Sequence, residues 1–173
     1  TARLLQPGPS DNLTLQHIDY GYVQLDSEWS AQTSGGCVNF PTWRNNPQFA
    51  FQLPQSQEAE TLVQIVLHTN LNADSKHHIG FYVVKATDLN FKKLVLNPTD
   101  VVADCKFANK QTVHIKTTIK KEHGSTFVII PSTFYPSVEA KFSIAVSAKD
   151  LSFGQIPESN WIVQGINGEW KGK

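Results

Sequence analysis

The sequence predicts an all-β chain, an antiparallel β-sandwich of about eight strands, on three observations. The 173 residues hold 14 valines, 11 isoleucines and 13 threonines, whose stiff χ1 rotamers favour a pleated surface over a helix. Val113, Ile115, Thr117 and Ile119 alternate with His114, Lys116, Thr118 and Lys120, and Phe142, Ile144, Val146 and Ala148 alternate with polar neighbours, which is the period of a strand with one wet and one dry face. No window carries a helical stripe, so nothing supplies the crossover helices that parallel strands need.

Taken in order, residues 1–26 read as a linker. Gln6-Pro7-Gly8-Pro9-Ser10-Asp11 is turn-rich, and a moderately apolar stretch follows to Leu25. Phe49 to Leu53, closed by Pro54, is a strand candidate, and Ser56 to Leu62 adds a turn before the next. Leu62 to Leu67, Ile79 to Val84 and Phe127 to Ile130 are dense, β-branched runs that read as core strands. Leu94 to Leu96 and Val101 to Phe107 are weaker candidates. Pro131 and Pro136 are expected to bracket a rigid turn after a strand ending at Ile130. The sandwich is therefore expected over 27–150, with 151–173 a linker and the entry to a following domain.

Fifteen Lys and Arg balance fifteen Asp and Glu, which removes the overall field expected of a nucleic-acid binder. No apolar run is long enough to span a membrane, and no signal-peptide order stands at the N-terminus. Two cysteines, Cys37 and Cys105, are too few for a disulfide framework, so a reducing, cytoplasmic setting is expected. The lack of an initiator Met suggests a fragment, and the single sequon Asn12-Leu13-Thr14 decides nothing.

Four ordered motifs carry a resemblance. Trp29, Gly35-Gly36-Cys37-Val38-Asn39 and Trp43-Arg44-Asn45-Asn46-Pro47-Gln48-Phe49 resemble the opening of the β-sandwich that follows the protease core in calpains (domain III, C2-like). Ile79-Gly80-Phe81 is similar to that domain's central strand, Val128 to Pro136 to its penultimate strand and turn, and Ala140 to Ile144 to its last strand. The Glu-Trp pairs at Glu28-Trp29 and Glu169-Trp170 suggest the first of two tandem sandwiches, as in the PalB-like branch of that family. The resemblance implies a preceding papain-like protease core, a second sandwich downstream, and catalytic residues outside this chain.

The residues themselves give the motifs structural work. Gly35 and Gly36 allow positive φ or close backbone approach, and Pro47 forces Asn46 away from helix, so that the chain turns sharply into the strand at Phe49. Cys37 reads as a small buried hydrophobe rather than a nucleophile, since its context lacks the family's Gln…Gly-Asp-Cys-Trp motif and a sandwich offers no helix N-terminus to lower its pKa. His68, His77 and His78 lack partners at metal-ligand spacing. The loop Pro54 to Glu60, acidic in other members of the family, holds two carboxylates, Glu58 and Glu60, against the ~6–8 oxygens a calcium ion takes. No metal or cofactor is assigned, although Asp74, Asp88, Asp100 and Asp104 could meet in space. Lys92-Lys93 and Lys116 to Lys121 form the best basic clusters, with Lys116 and Lys120 on one outward face.

The expected function is a noncatalytic regulatory and interaction module of an intracellular calpain-like cysteine protease. The Trp29 to Asn46 end would dock on the protease core and the Trp161 to Lys173 end, through Trp161 and Trp170, on a second sandwich. Lys116 and Lys120 are the candidate contacts for a protein partner or phospholipid. The alternative is a calcium-dependent phospholipid-binding module for membrane recruitment.

Overall fold

The computed structural model describes residues 13–55 and 59–158. Ten strands occur among them: β1 (Gln16–Ile18), β2 (Tyr22–Trp29), β3 (Phe49–Gln52), β4 (Glu60–Thr69), β5 (Ile79–Lys85), β6 (Val101–Ala108), β7 (Thr112–Lys120), β8 (Thr126–Thr133), β9 (Ala140–Ser147) and β10 (Leu151–Gln155). They form a six-stranded sheet in the order β1-β10-β3-β8-β5-β6 and a four-stranded sheet in the order β2-β9-β4-β7. Every pairing is antiparallel.

The two sheets close over a core built from alternate side chains. Val63, Ile65 and Leu67 of β4 and Phe142, Ile144 and Val146 of β9 meet Phe49 and Phe51 of β3, Phe81 and Val83 of β5, and Phe127 and Ile129 of β8. Phe49 packs against Phe153 and against the edge of Phe142, and Phe51 stacks on Phe127 at 4.9 Å. A second apolar layer covers the outer face of the six-stranded sheet, where Ala50, Val84, Val128 and Ile130 lie beneath Trp43, Leu89 and Ile156. Covered on both faces, β5 and β8 read as continuous apolar runs, whereas β4, with one face left uncovered by the described residues, leaves Leu62 53% and Val66 37% exposed.

Four details differ from the sequence reading. The sandwich is wider than 27–150: β1 and most of β2 lie within the stretch read as linker, and β10 lies beyond 150. These strands were hidden because β1 is three residues long at a sheet edge and β2 alternates with charged positions. Leu94 to Leu96 is loop, part of the long connection between β5 and β6. In place of a strand ending at Ile130, β8 continues through Pro131 to Thr133. A residue's N–H and C=O point to the same side of a strand, and the Pro131 carbonyl faces the side on which β3 has ended, so the ring deletes no ladder bond. Finally, dense Leu62 to Leu67 is buried on alternate positions only.

Candidate interaction surface

The Trp29 to Gln48 stretch folds into a buried polar knot. Trp29 is 1% exposed, its ring centred 4.4 Å from that of Phe142, and its indole N–H donates to the Pro131 carbonyl at 3.2 Å. Asn46 is fully buried. Its Oδ1 accepts from the Gly35 N–H at 3.0 Å, and its Nδ2 donates to the carbonyls of Gly36 at 2.7 Å and Trp43 at 3.0 Å. A Cβ on Gly35 would stand 2.0 Å from the Thr42 carbonyl oxygen, and Gly36 has φ +74 with Pro136 N 2.7 Å from where its Cβ would be. Asn46 adopts the extended backbone that Pro47 demands, with ψ 147. The side chain of Asn46 is thus the organiser of the turn, a role that the pre-proline restriction alone does not reveal.

Gln48 extends the same logic. Fully buried, it donates from Nε2 to the Lys93 carbonyl and accepts the Lys93 N–H at Oε1, so one amide mimics a rung of β-ladder and pins the β5–β6 connection. Lys92 folds inward, its side chain 8% exposed, to the Asn45 carbonyl and Glu158 at 2.9 and 2.8 Å; burial pulls its ammonium below the ordinary lysine value while Glu158 opposes this. Lys93 reaches the Lys85 carbonyl at 2.7 Å and Asp100 at 3.2 Å. Its hydrogen bond holds the Asp100 carboxyl below its usual value. Arg44 donates to the Leu94 carbonyl. The loop is inverted relative to a solvated one: its cations point in, while Phe91, Leu94 and Val95 are 58%, 45% and 65% exposed.

The outer face of the four-stranded sheet is the other open surface. Lys116 and Lys120 project from β7 beside His114, with Gln64 and Val66 of β4 opposite Lys116 and His114 in register. Ser143, Ala145 and Ser147 line β9 in the middle, and Asp26 and Glu28 stand on β2. Lys116 and Lys120 mark the β7 edge, with Glu60 of β4 opposite Lys120, and Asp26 and Glu28 mark the β2 edge, with Lys141 of β9 opposite Glu28. A shallow depression of about 690 Å³ opens toward the β2 edge, among Asp26, Glu28, His68, Asn70 and Lys141.

The remaining candidates are dispersed. Glu58, Trp161 and Trp170 lie outside the described residues, as does the sequon Asn12. Glu60 is exposed at the start of β4, and Asp74 and Asp88 are exposed in separate loops while Asp100 holds Lys93. Among the described residues, potential metal ligands gather only at His17, Asp19 and Asp150. His68 faces the Thr112 hydroxyl at 2.7 Å, and His77 and His78 sit in the loop before β5. Cys37 and Cys105 are free and buried, and burial pushes the Cys105 thiol up. Beside Cys37, burial drives the Tyr82 phenol up to about 12. Trp29 and Trp43 spend their indoles on the domain's own two apolar layers, which removes them from the docking end expected over Trp29 to Asn46. Sequence reasoning missed the Gln48 and Lys92–Lys93 anchors. The Asn46-Pro47-Gln48 signal was available, but burial of two amides is a tertiary fact.

Comparison with known proteins gives this geometry a family. Residues 25–147 match the model for the calpain large subunit, domain III. The chain is 32% identical over 87% of its length to the serine/threonine-protein kinase 4 homolog B of Dictyostelium discoideum, spanning 14% of that protein. It is 26% identical over 85% of its length to Calpain-10 of Macaca fascicularis and 29% identical over 70% to Calpain-B of Drosophila melanogaster, spanning 23% and 15% of those chains. It therefore covers about a quarter or less of each of these relatives. By the match over residues 25–147, which hold the knot and the strands from β3 to β9, this chain belongs to the calpain large subunit domain III family.

Proposed function

We propose that the chain is a noncatalytic interaction domain of a larger, intracellular calpain-like cysteine protease, and that it docks on the catalytic part through the outer face of the four-stranded sheet. One observation carries the reading: among the described residues, the six-stranded sheet is roofed by segments around Trp43, Leu89 and Ile156, while the four-stranded sheet is left uncovered with Lys116 and Lys120 along one edge and Asp26 and Glu28 along the other. Small residues at the centre allow close approach, and the opposed charge stripes favour a single orientation of the partner. The buried free thiols support a reducing compartment. No described helix is long and apolar enough to cross a membrane. A downstream second sandwich remains part of this proposal, with Trp161 and Trp170 as its contacts.

The test is Lys116→Glu with Lys120→Glu, measured by binding of this domain in trans to the rest of its parent chain. These exposed charges each contribute at most ~1 kcal/mol to folding, so the melting temperature is expected to hold. Binding is expected to weaken at least tenfold, and unchanged binding would sink the face assignment. Since one relative is named a kinase and others calpains, protease activity of the parent chain is measured separately.

Membrane recruitment is the second reading, favoured by the exposed apolar ridge of Phe91, Leu94 and Val95. Sedimentation with anionic vesicles, with and without calcium, separates the two. Saturable binding that Phe91→Ser abolishes would favour the ridge as a lipid contact.

A further inference from the structure

We propose that His17, Asp19 and Asp150 form a binding site for a divalent transition-metal ion of the zinc type, which fastens the first strand of the sandwich to its last. The residues come from opposite ends of the chain. His17 lies in β1, opposite Ser152 of β10, and Asp150 occupies the turn between β9 and β10 with φ 58. The Asp150 N–H donates to the Asp19 carbonyl at 2.9 Å, so backbone pairing brings the two carboxylates to the same spot.

There, one nitrogen and two carboxylate oxygens lie within 4.8 Å of one another. His17 Nε2 is 3.3 Å from Asp19 Oδ1 and 3.1 Å from Asp150 Oδ1. A tetrahedral ion with ligands at ~2.0–2.1 Å has edges of about 3.3 Å between its ligand atoms. The two measured separations are already such edges, and modest side-chain rotation closes the third. The other ring nitrogen is held from outside the ligand set: His17 Nδ1 sits 3.2 Å from Ser152 Oγ. With the ring hydrogen on Nδ1 toward that hydroxyl, Nε2 presents its lone pair between the carboxylates, the orienting contact that metal-ligating histidines use.

The donor set selects the ion. An imidazole with two carboxylates suits Zn²⁺, Co²⁺ or Ni²⁺, whereas calcium takes ~6–8 oxygens and has little use for nitrogen. Two carboxylates neutralise the dication. His17 and Asp19 are exposed and Asp150 half-buried, so an ion enters without opening the core and a fourth position stays open to water. β1 is three residues long, at a sheet edge, and paired to β10 only. Linking it to the β9–β10 turn closes the chain between His17 and Asp150 into one long loop, the situation in which a metal clip removes the most unfolded-state entropy.

The test uses the 173-residue chain, whose two sheets close over their own core, after treatment with chelator. Calorimetric titration with Zn²⁺ is expected to saturate at one equivalent and raise the melting temperature, and Co²⁺ is expected to give visible d–d absorption. His17→Ala and Asp150→Asn should each weaken binding at least tenfold, Ser152→Ala less, and Ca²⁺ should bind at least a hundredfold more weakly than Zn²⁺. The apo melting temperatures of these surface variants should match the parent; should one fall, Asp19→Asn supplies the independent arm. The proposal is overturned if the parent shows no saturable Zn²⁺ binding. It is equally overturned if His17→Ala and the aspartate variants bind as the parent does, which would place the ion elsewhere, or if Ca²⁺ competes equally.

Discussion

The indole N–H of Trp29, the last residue of β2, donates across the sandwich to the carbonyl of Pro131 in β8, 3.2 Å away. The bond joins the two sheets at the one place in β8 where a proline leaves its carbonyl without a neighbouring strand. Trp29→Phe is expected to retain most of the packing on Phe142 while leaving that carbonyl unpaired, at a cost of about 1–3 kcal/mol. Trp29→Ala should cost about 3–5 kcal/mol. Denaturant unfolding of the two variants checks the order, and a Trp29→Phe variant as stable as the parent would mean that the hydrogen bond contributes nothing.

Asn46 tests the knot. Asn46→Asp replaces a donor to the Gly36 and Trp43 carbonyls with a carboxylate facing the same oxygens. The buried carboxyl should hold its proton well above the ordinary aspartate value, since both burial and the two carbonyl dipoles disfavour the anion. A folded-state pKa raised above the unfolded value means that stability is lost as pH rises. Asn46→Asp is therefore expected to be more severely destabilised at pH 7 than at pH 4, relative to the parent at each pH. Melting temperatures across that range would show it, and a pH-independent deficit would count against the geometry.

Asp100 gives the opposite sign. The Lys93 ammonium holds its carboxyl below the ordinary value, followed by the Asn97 amide. A depressed folded-state pKa contributes stability that is fully present above the unfolded value of about 3.9 and lost as pH falls through the folded one. Asp100→Asn should be less stable than the parent at neutral pH, with the gap closing below about pH 4. A gap that persists at pH 2 would mean that the residue acts by packing or its backbone contacts.

Both thiols should resist polar reagents in the native state, because each is buried and Cys105 is pushed toward its protonated form. A thiol assay is expected to count two free groups only after denaturant is added. Rapid native labelling of Cys37 would show that the Gly35-Gly36 turn opens.

The pleated class and most of the strands are legible in the amino-acid order, because period-two burial is written into β7 and β9 and a helix cannot use it. Its Gly-Gly-Cys and Trp-Arg-Asn-Asn-Pro-Gln motifs also carried the family, since each demands a particular backbone: Gly36 a positive φ, and Asn46 an extended one before Pro47. What period cannot state is which face of a strand is left bare. Leu62 to Leu67 and Phe127 to Ile130 look alike along the chain, yet only the second is roofed, by Trp43, Leu89 and Ile156 from three separate segments. The placement of the polar side chains follows from contacts between distant segments. Gln48 and Lys92 were turned inward because backbone groups of the β5–β6 connection and Glu158 met them there, and His17, Asp19 and Asp150 met because β1 pairs with β10. Burying a polar group is costly unless its partner is already in place, and those partners lie far away in sequence.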